Sequence, residues 1–211
     1  MSLTTALQEL ADGSVKRHPG AAQDIMKSAI DALQKTPILE QAFKTGDQLP
    51  DISLPNAMGK TVHLQDMLKD SRLVITFYRG GWCPYCNLEL RAYQTALSEI
   101  HAKDAQLVAI SPELPDNALT TTEKNELAFE VLSDHTNAVA QKLNLLYQLP
   151  DELVALYTKF GIDLEANQGN TANSLPIAAT YIVEQDGRIS YDFLAEDYKL
   201  RADPETVLRK L

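Results

Sequence analysis

Cysteine is nearly absent from this chain: there are two in 211 residues, three positions apart at Cys83 and Cys86. So few and so local a pair cannot build the disulfide framework of a small secreted protein. In a reducing compartment it points instead to redox or metal chemistry. Positive charge is scarce as well. Nineteen Lys and Arg against 29 Asp and Glu leave a formal net charge of -10, which argues against a nucleic-acid or anionic-membrane partner. No stretch approaches the roughly 18 uninterrupted apolar residues of a membrane span. Met1-Ser2-Leu3-Thr4-Thr5 lacks the basic and apolar regions of a signal peptide, so a cytoplasmic protein is expected. Internal repeats and low-complexity tracts are missing too.

What is present is an ordinary globular composition, 45% hydrophobic and 23% charged, at a length that suits one domain with an extension. Leu7, Leu10 and Ala11, then Ile25, Met26, Ile30 and Leu33, are spaced as on amphipathic helices broken at His18-Pro19-Gly20. Residues 1–45 therefore read as a helical N-terminal extension, and residues 46–211 as the main domain. Ile52, Leu54, Val62 and Leu64 around Asn56-Ala57-Met58-Gly59 suggest a hairpin. Leu73 to Tyr78 is a β-branched and aromatic run of the kind found in a central strand, and Leu107 to Ile110 a second. A helix is expected to open near Pro115, a short strand at Val131-Leu132, and a helix over Asn137 to Leu146. The stretch to Gly161 reads as partly helical, and residues 165–176, rich in Asn, Gly and Ser, as a loop. Asp186-Gly187 between two apolar runs predicts a closing hairpin, followed by a helix opened by Asp203-Pro204-Glu205.

Both cysteines lie between the first strand and an amphipathic helix. Gly80 and Gly81 allow a sharp exit from the strand, and Pro84 suits the first helical position, which makes Cys83 the N-cap and Cys86 the third helical residue. A Cys83 thiolate there can accept from the amides of Tyr85 or Cys86, and its pKa should fall. Leu90, Tyr93, Leu97 and Ile100 form the stripe facing the sheet, leaving Glu89, Arg91, Gln94 and Glu99 for other faces. Arg79 at the strand end is a candidate source of positive charge, and Trp82 a candidate shield or docking residue. Tyr85 and Glu89 are candidates for supporting the thiols. His18, His63, His101 and His135 are scattered, so a four-ligand metal site is not expected.

Gly81-Trp82-Cys83-Pro84-Tyr85-Cys86-Asn87-Leu88-Glu89-Leu90, Val108 to Glu113 and Ala179 to Val183 with Asp186-Gly187 resemble the peroxiredoxin-like branch of the alkyl hydroperoxide reductase and thiol-specific antioxidant family. The resemblance runs from about Gly46 to the C-terminus. It implies an α/β, thioredoxin-like three-layer sandwich with a mixed central sheet flanked by helices, and an antioxidant oxidoreductase needing neither metal nor organic cofactor. In the family register Cys86 with Glu89 takes the peroxidatic position, and Cys83 stands where the family has threonine. Ala178 occupies the place of a family arginine, so a guanidinium is expected to be missing from that side. Two mechanisms are implied for the Cys83/Cys86 pair. In one, Cys86 reduces a hydroperoxide and Cys83 resolves the sulfenic acid; in the other, an exposed Cys83 attacks a protein or small-molecule disulfide. The thiol donor is expected to be a thioredoxin, a glutaredoxin or glutathione, and a homodimer is possible. A catalytically silent interaction protein of the same fold is the remaining alternative.

Overall fold

A computed structural model of the chain describes residues 2–211. Three helices come first, α1 (Leu3–Arg17), α2 (Ala21–Leu33) and α3 (Ile38–Gln41), then the hairpin β1 (Ser53–Pro55) and β2 (Thr61–His63). Next are α4 (Leu64–Asp70), β3 (Arg72–Phe77), α5 (Pro84–His101), β4 (Ala105–Ser111), α6 (Pro115–Lys124) and β5 (Glu130–Ser133). The chain continues through α7 (Ala138–Lys142), β6 (Leu146–Gln148), α8 (Asp151–Lys159), α9 (Leu164–Gln168) and β7 (Ser174–Pro176). It closes with β8 (Ala178–Val183), β9 (Ile189–Ala195) and α10 (Pro204–Lys210).

Five strands form the central sheet in the order β5-β4-β3-β8-β9. β3 is central as its apolar run requires, parallel to β4 and antiparallel to β8. Its side chains alternate between two cores, as the two-residue period of a strand dictates. Leu73, Ile75 and Phe77 pack with Leu64 and Leu68 of α4 and Ala140 of α7. Val74 points the other way, to Tyr93, Leu97 and Ile100 of α5 and Val207 of α10. Helices therefore cover both faces of a mixed sheet, the three-layer arrangement of the thioredoxin fold.

Both outer strands are partly covered. At β5, Asn56 bridges Leu132 and the Ala57 N–H donates to the Val131 carbonyl at 3.1 Å. At β9, the Gly46 N–H donates to the Ile189 carbonyl at 2.8 Å and the Ile189 N–H to the Asp47 carbonyl at 2.9 Å.

Two segments differ from expectation. The helix after Asn137 ends at Lys142; Asn144 turns left-handed, and the chain then becomes β6, which pairs antiparallel with β7. Residues 165–176, expected as a loop, carry most of α9 and all of β7. The Asp163 side chain accepts from the Ala166 N–H, and Gly169 closes the helix in the left-handed conformation, both ordinary helix-end devices.

The N-terminal helices pack onto the rest of the chain. Leu3 and Leu7 of α1 join a core with Tyr85 and Leu90 of α5, and Met26 of α2 packs with Leu153, Leu156 and Tyr157 of α8. Asp203 holds both ends of the chain together: it accepts from the Glu205 N–H at 3.1 Å as cap of α10 and from Thr4 Oγ1 at 3.3 Å. Asp203→Ala should therefore cost about 1 kcal/mol, the usual worth of a helix cap, read as a lower urea midpoint with an unchanged slope.

Candidate active site

β3 delivers the chain to Arg79, and two glycines make the following turn possible. Gly80 has φ 147°, and a Cβ there would lie 2.4 Å from Trp82 Nε1. A Cβ on Gly81 would lie 2.0 Å from Thr121 Oγ1. The Gly81 N–H instead donates to Glu113 Oε1 at 2.9 Å, and Asn87 Nδ2 donates to the Gly81 carbonyl at 2.8 Å. Pro84 then opens α5 with Cys83 as N-cap, as the sequence predicts. The Cys83 side chain, however, makes no capping hydrogen bond.

Both cysteines are free thiols, and both are buried: Cys83 is 1% exposed and Cys86 0%. The exposed Cys83 expected for disulfide exchange is thus not found. Leu3 and Leu7 of α1 belong to the core that encloses the two sulfurs, a covering the local motif does not encode.

Cys86 Sγ accepts from Arg201 Nη2 at 3.3 Å and from the Arg79 backbone N–H at 3.5 Å. Arg201 Nε donates to Glu89 Oε2 at 2.7 Å, and Thr76 Oγ1 donates to Glu89 Oε1 at 3.0 Å. Glu89 is therefore not on an outer face of α5. It lies three residues after Cys86, hence on the same side of the helix, and faces inward with it. The guanidinium expected to be missing through Ala178 is supplied from the segment between β9 and α10.

Burial dominates the electrostatics. It opposes ionisation of Cys83, but the Cys86 thiol, then the Arg79 and Arg201 charges, outweigh it and bring Cys83 down to about 6. Cys86 is pushed well above the ordinary thiol value by burial and by the neighbouring Cys83 sulfur. The two behave as one dithiol that gives up a first proton readily and a second with difficulty. Burial raises Glu89 to about 7, against the opposing pull of Arg201.

Arg79 is itself buried. Its guanidinium lies 4.4 Å from the Tyr198 ring centroid, 4.9 Å from Trp82 and 5.4 Å from Tyr157, and it donates to the Tyr157 hydroxyl. Such stacking keeps a desolvated cation in place. Tyr85 is buried edge-on against Tyr198 at 5.5 Å, so it is not an exposed side chain of the first turn. A cavity of about 340 Å³ opens between α1, α2, α8 and the start of α5; Cys83, Pro84, Trp82 and Arg79 line it, and Cys86 does not.

The structure thus brings Arg79, Trp82, Cys83, Pro84, Tyr85, Cys86 and Glu89 together, and adds Arg201, Tyr157, Tyr198 and Glu113, which sequence reasoning missed. Arg201 lies 115 positions beyond Cys86, and no local pattern marks it.

Comparison with known proteins places this arrangement. The AhpC/TSA family model matches residues 45–192. The bcp protein of Buchnera aphidicola subsp. Schizaphis graminum is 31% identical over 103 residues, 49% of this chain and 65% of that protein. Peroxiredoxin Bcp of Escherichia coli K12 is 25% identical over 170 residues, covering 80% and 96%. The crystal structure of peroxidoxin BcpB from Mycobacterium tuberculosis superposes with a TM-score of 0.63 at 20% identity, covering 80% of this chain and 96% of that one. A chain matched by the family model over most of its length belongs to the AhpC/TSA family, and within it to the peroxiredoxin-like, thiol-dependent peroxidases of thioredoxin fold.

Proposed function

We propose that the Cys83/Cys86 pair reduces hydroperoxides, with Cys83 as the sulfur that meets the substrate. One observation carries this order: Cys83 lines the cavity at the site and Cys86 does not. The Cys83 thiolate attacks the terminal peroxide oxygen and the O–O bond breaks. The departing alkoxide takes the Cys86 proton and leaves as the alcohol, while Cys83 becomes a sulfenic acid. The Cys86 thiolate, beside Arg201, then attacks the Cys83 sulfur; hydroxide is lost and protonated to water, and a disulfide forms. Two electrons have passed to the peroxide, and an external thiol returns them. Buried sulfurs support this chemistry better than exchange with a protein disulfide, which must reach the attacking atom directly.

A second order of events rests on a different observation. Arg201 Nη2 and the Arg79 N–H both point at Cys86 Sγ, where they would stabilise a thiolate attacking first, in the family register. Exposing Cys83→Ser and Cys86→Ser to peroxide with a sulfenic-acid trapping dione, followed by mass spectrometry, separates the two. An adduct on Cys83 in Cys86→Ser is expected; an adduct confined to Cys86 reverses the order. No adduct in either variant sinks peroxide reduction by the pair.

Residues 1–45 act in this reading as the roof of the site on a domain of residues 46–211. A cytoplasmic setting is part of the proposal, supported by a local thiol pair in a chain that carries no disulfide framework. No helix among the described residues is long and apolar enough to cross a membrane.

A further inference from the structure

We infer that the cavity over Cys83 is the entry site of a small anionic thiol that re-reduces the pair. The inference rests on the reading above, in which the working cycle passes through a Cys83–Cys86 disulfide. Three features of the cavity point to the ligand. In a chain of net charge -10, its wall holds Arg17, His18 and Arg79 and not one carboxylate. Arg79 is 2% exposed, and its Nε has no hydrogen-bond partner within the protein, which leaves a buried cationic donor free for an acceptor. The rest of the wall includes Leu10, Met26, Phe160 and Ile162, apolar surface suited to the methylenes of a small molecule. A volume of about 340 Å³ holds such a molecule but not the redox loop of a protein, and α1 and α2 stand over the sulfurs.

A thiolate in the cavity attacks the Cys83 sulfur of the disulfide, the S–S bond breaks, and Cys86 leaves as a thiolate received by Arg201 Nη2 and the Arg79 N–H. A second thiolate attacks the sulfur of the first donor in the mixed disulfide, releasing the donor disulfide and the Cys83 thiolate. Two protons taken up from solvent complete the dithiol.

The test starts from full-length protein oxidised with diamide, so that its outcome does not depend on peroxide. Glutathione, which is anionic, and cysteamine, which is cationic, are compared as reductants by timed alkylation and mass spectrometry. Each rate is normalised to that thiol's rate with a small aromatic disulfide. Glutathione should hold an advantage of about tenfold or more, as expected for an electrostatically focused site. The advantage should shrink with added salt and fall towards unity in an Arg17→Glu, His18→Glu variant. Equal normalised rates in the parent chain overturn the inference, as does reduction by a thioredoxin system faster than by glutathione at equal thiol concentration. Failure of peroxide to oxidise the dithiol, measured separately, would instead count against the peroxidase order of events.

Discussion

Replacing Arg201 with alanine is expected to lower stability by about 1–3 kcal/mol, because it leaves the buried Glu89 carboxyl, already raised to about 7, neutral and without its partner. Both side chains of that pair are 1% exposed, so solvent cannot substitute for the lost guanidinium. The same substitution removes a donor from Cys86 Sγ. A hydrogen bond to a charged group is worth about 1.5–3 kcal/mol, so peroxide turnover should fall about 10- to 100-fold. Two further variants separate these effects. Adding Glu89→Gln to Arg201→Ala replaces an acid that burial keeps protonated, so it should recover stability only at alkaline pH, where that acid would have to ionise, and should not recover turnover. Arg201→Lys keeps the charge but not the planar fork that reaches Glu89 and Cys86 together, and should also turn over slowly. Urea unfolding and peroxide consumption measure the two quantities; an Arg201→Ala protein with unaltered turnover would remove Arg201 from the site chemistry.

The rate at which peroxide oxidises the dithiol should be level above pH about 6 and fall towards tenfold per unit below it. The sign follows from the reacting species. A thiol whose pKa is lowered is thiolate above that value, and only the thiolate attacks the peroxide; an ordinary thiol near 8.5 would still be gaining rate at pH 7. Arg79 is one of the two cations that hold the value down, so Arg79→Met should move the midpoint upward. Single-turnover rates across pH 4 to 9, with the oxidised protein quantified by mass, decide it. A midpoint in the range of a free thiol would mean that burial, which opposes ionisation, has won.

Local chemistry made much of this legible in the sequence. The β-branched run of β3, the two glycines and Pro84 placed both cysteines at the start of α5, because each signal acts within a few residues of its effect. The position of Glu89 was decided by what lies opposite it, and that partner, Arg201, comes from the far end of the chain. Tyr157 and Tyr198, which enclose Arg79, are equally remote in sequence, so nothing near the motif announces them. Residues 165–176 depart from the expected loop for another reason. Their composition is that of a loop, yet Asp163 and Gly169 are start and stop signals for a short helix, and the pairing of β7 depends on β6 more than 20 residues earlier. The N-terminal helices were legible as helices from their spacing; their seat over the dithiol was not, since the apolar stripe of a helix does not say which surface it covers.

The covering of β5 and β9 bears on how copies of this protein can meet. A bare outer strand invites a neighbouring molecule to add its own strand, the usual route to fibrils and to dimers that share one continuous sheet. Here the backbone groups around Val131 and Ile189 are already engaged by the chain's own loops. Strand addition is therefore hindered at Val131 of β5 and at the Ile189 end of β9, and a second copy that extends the sheet has to do so along the remainder of β9.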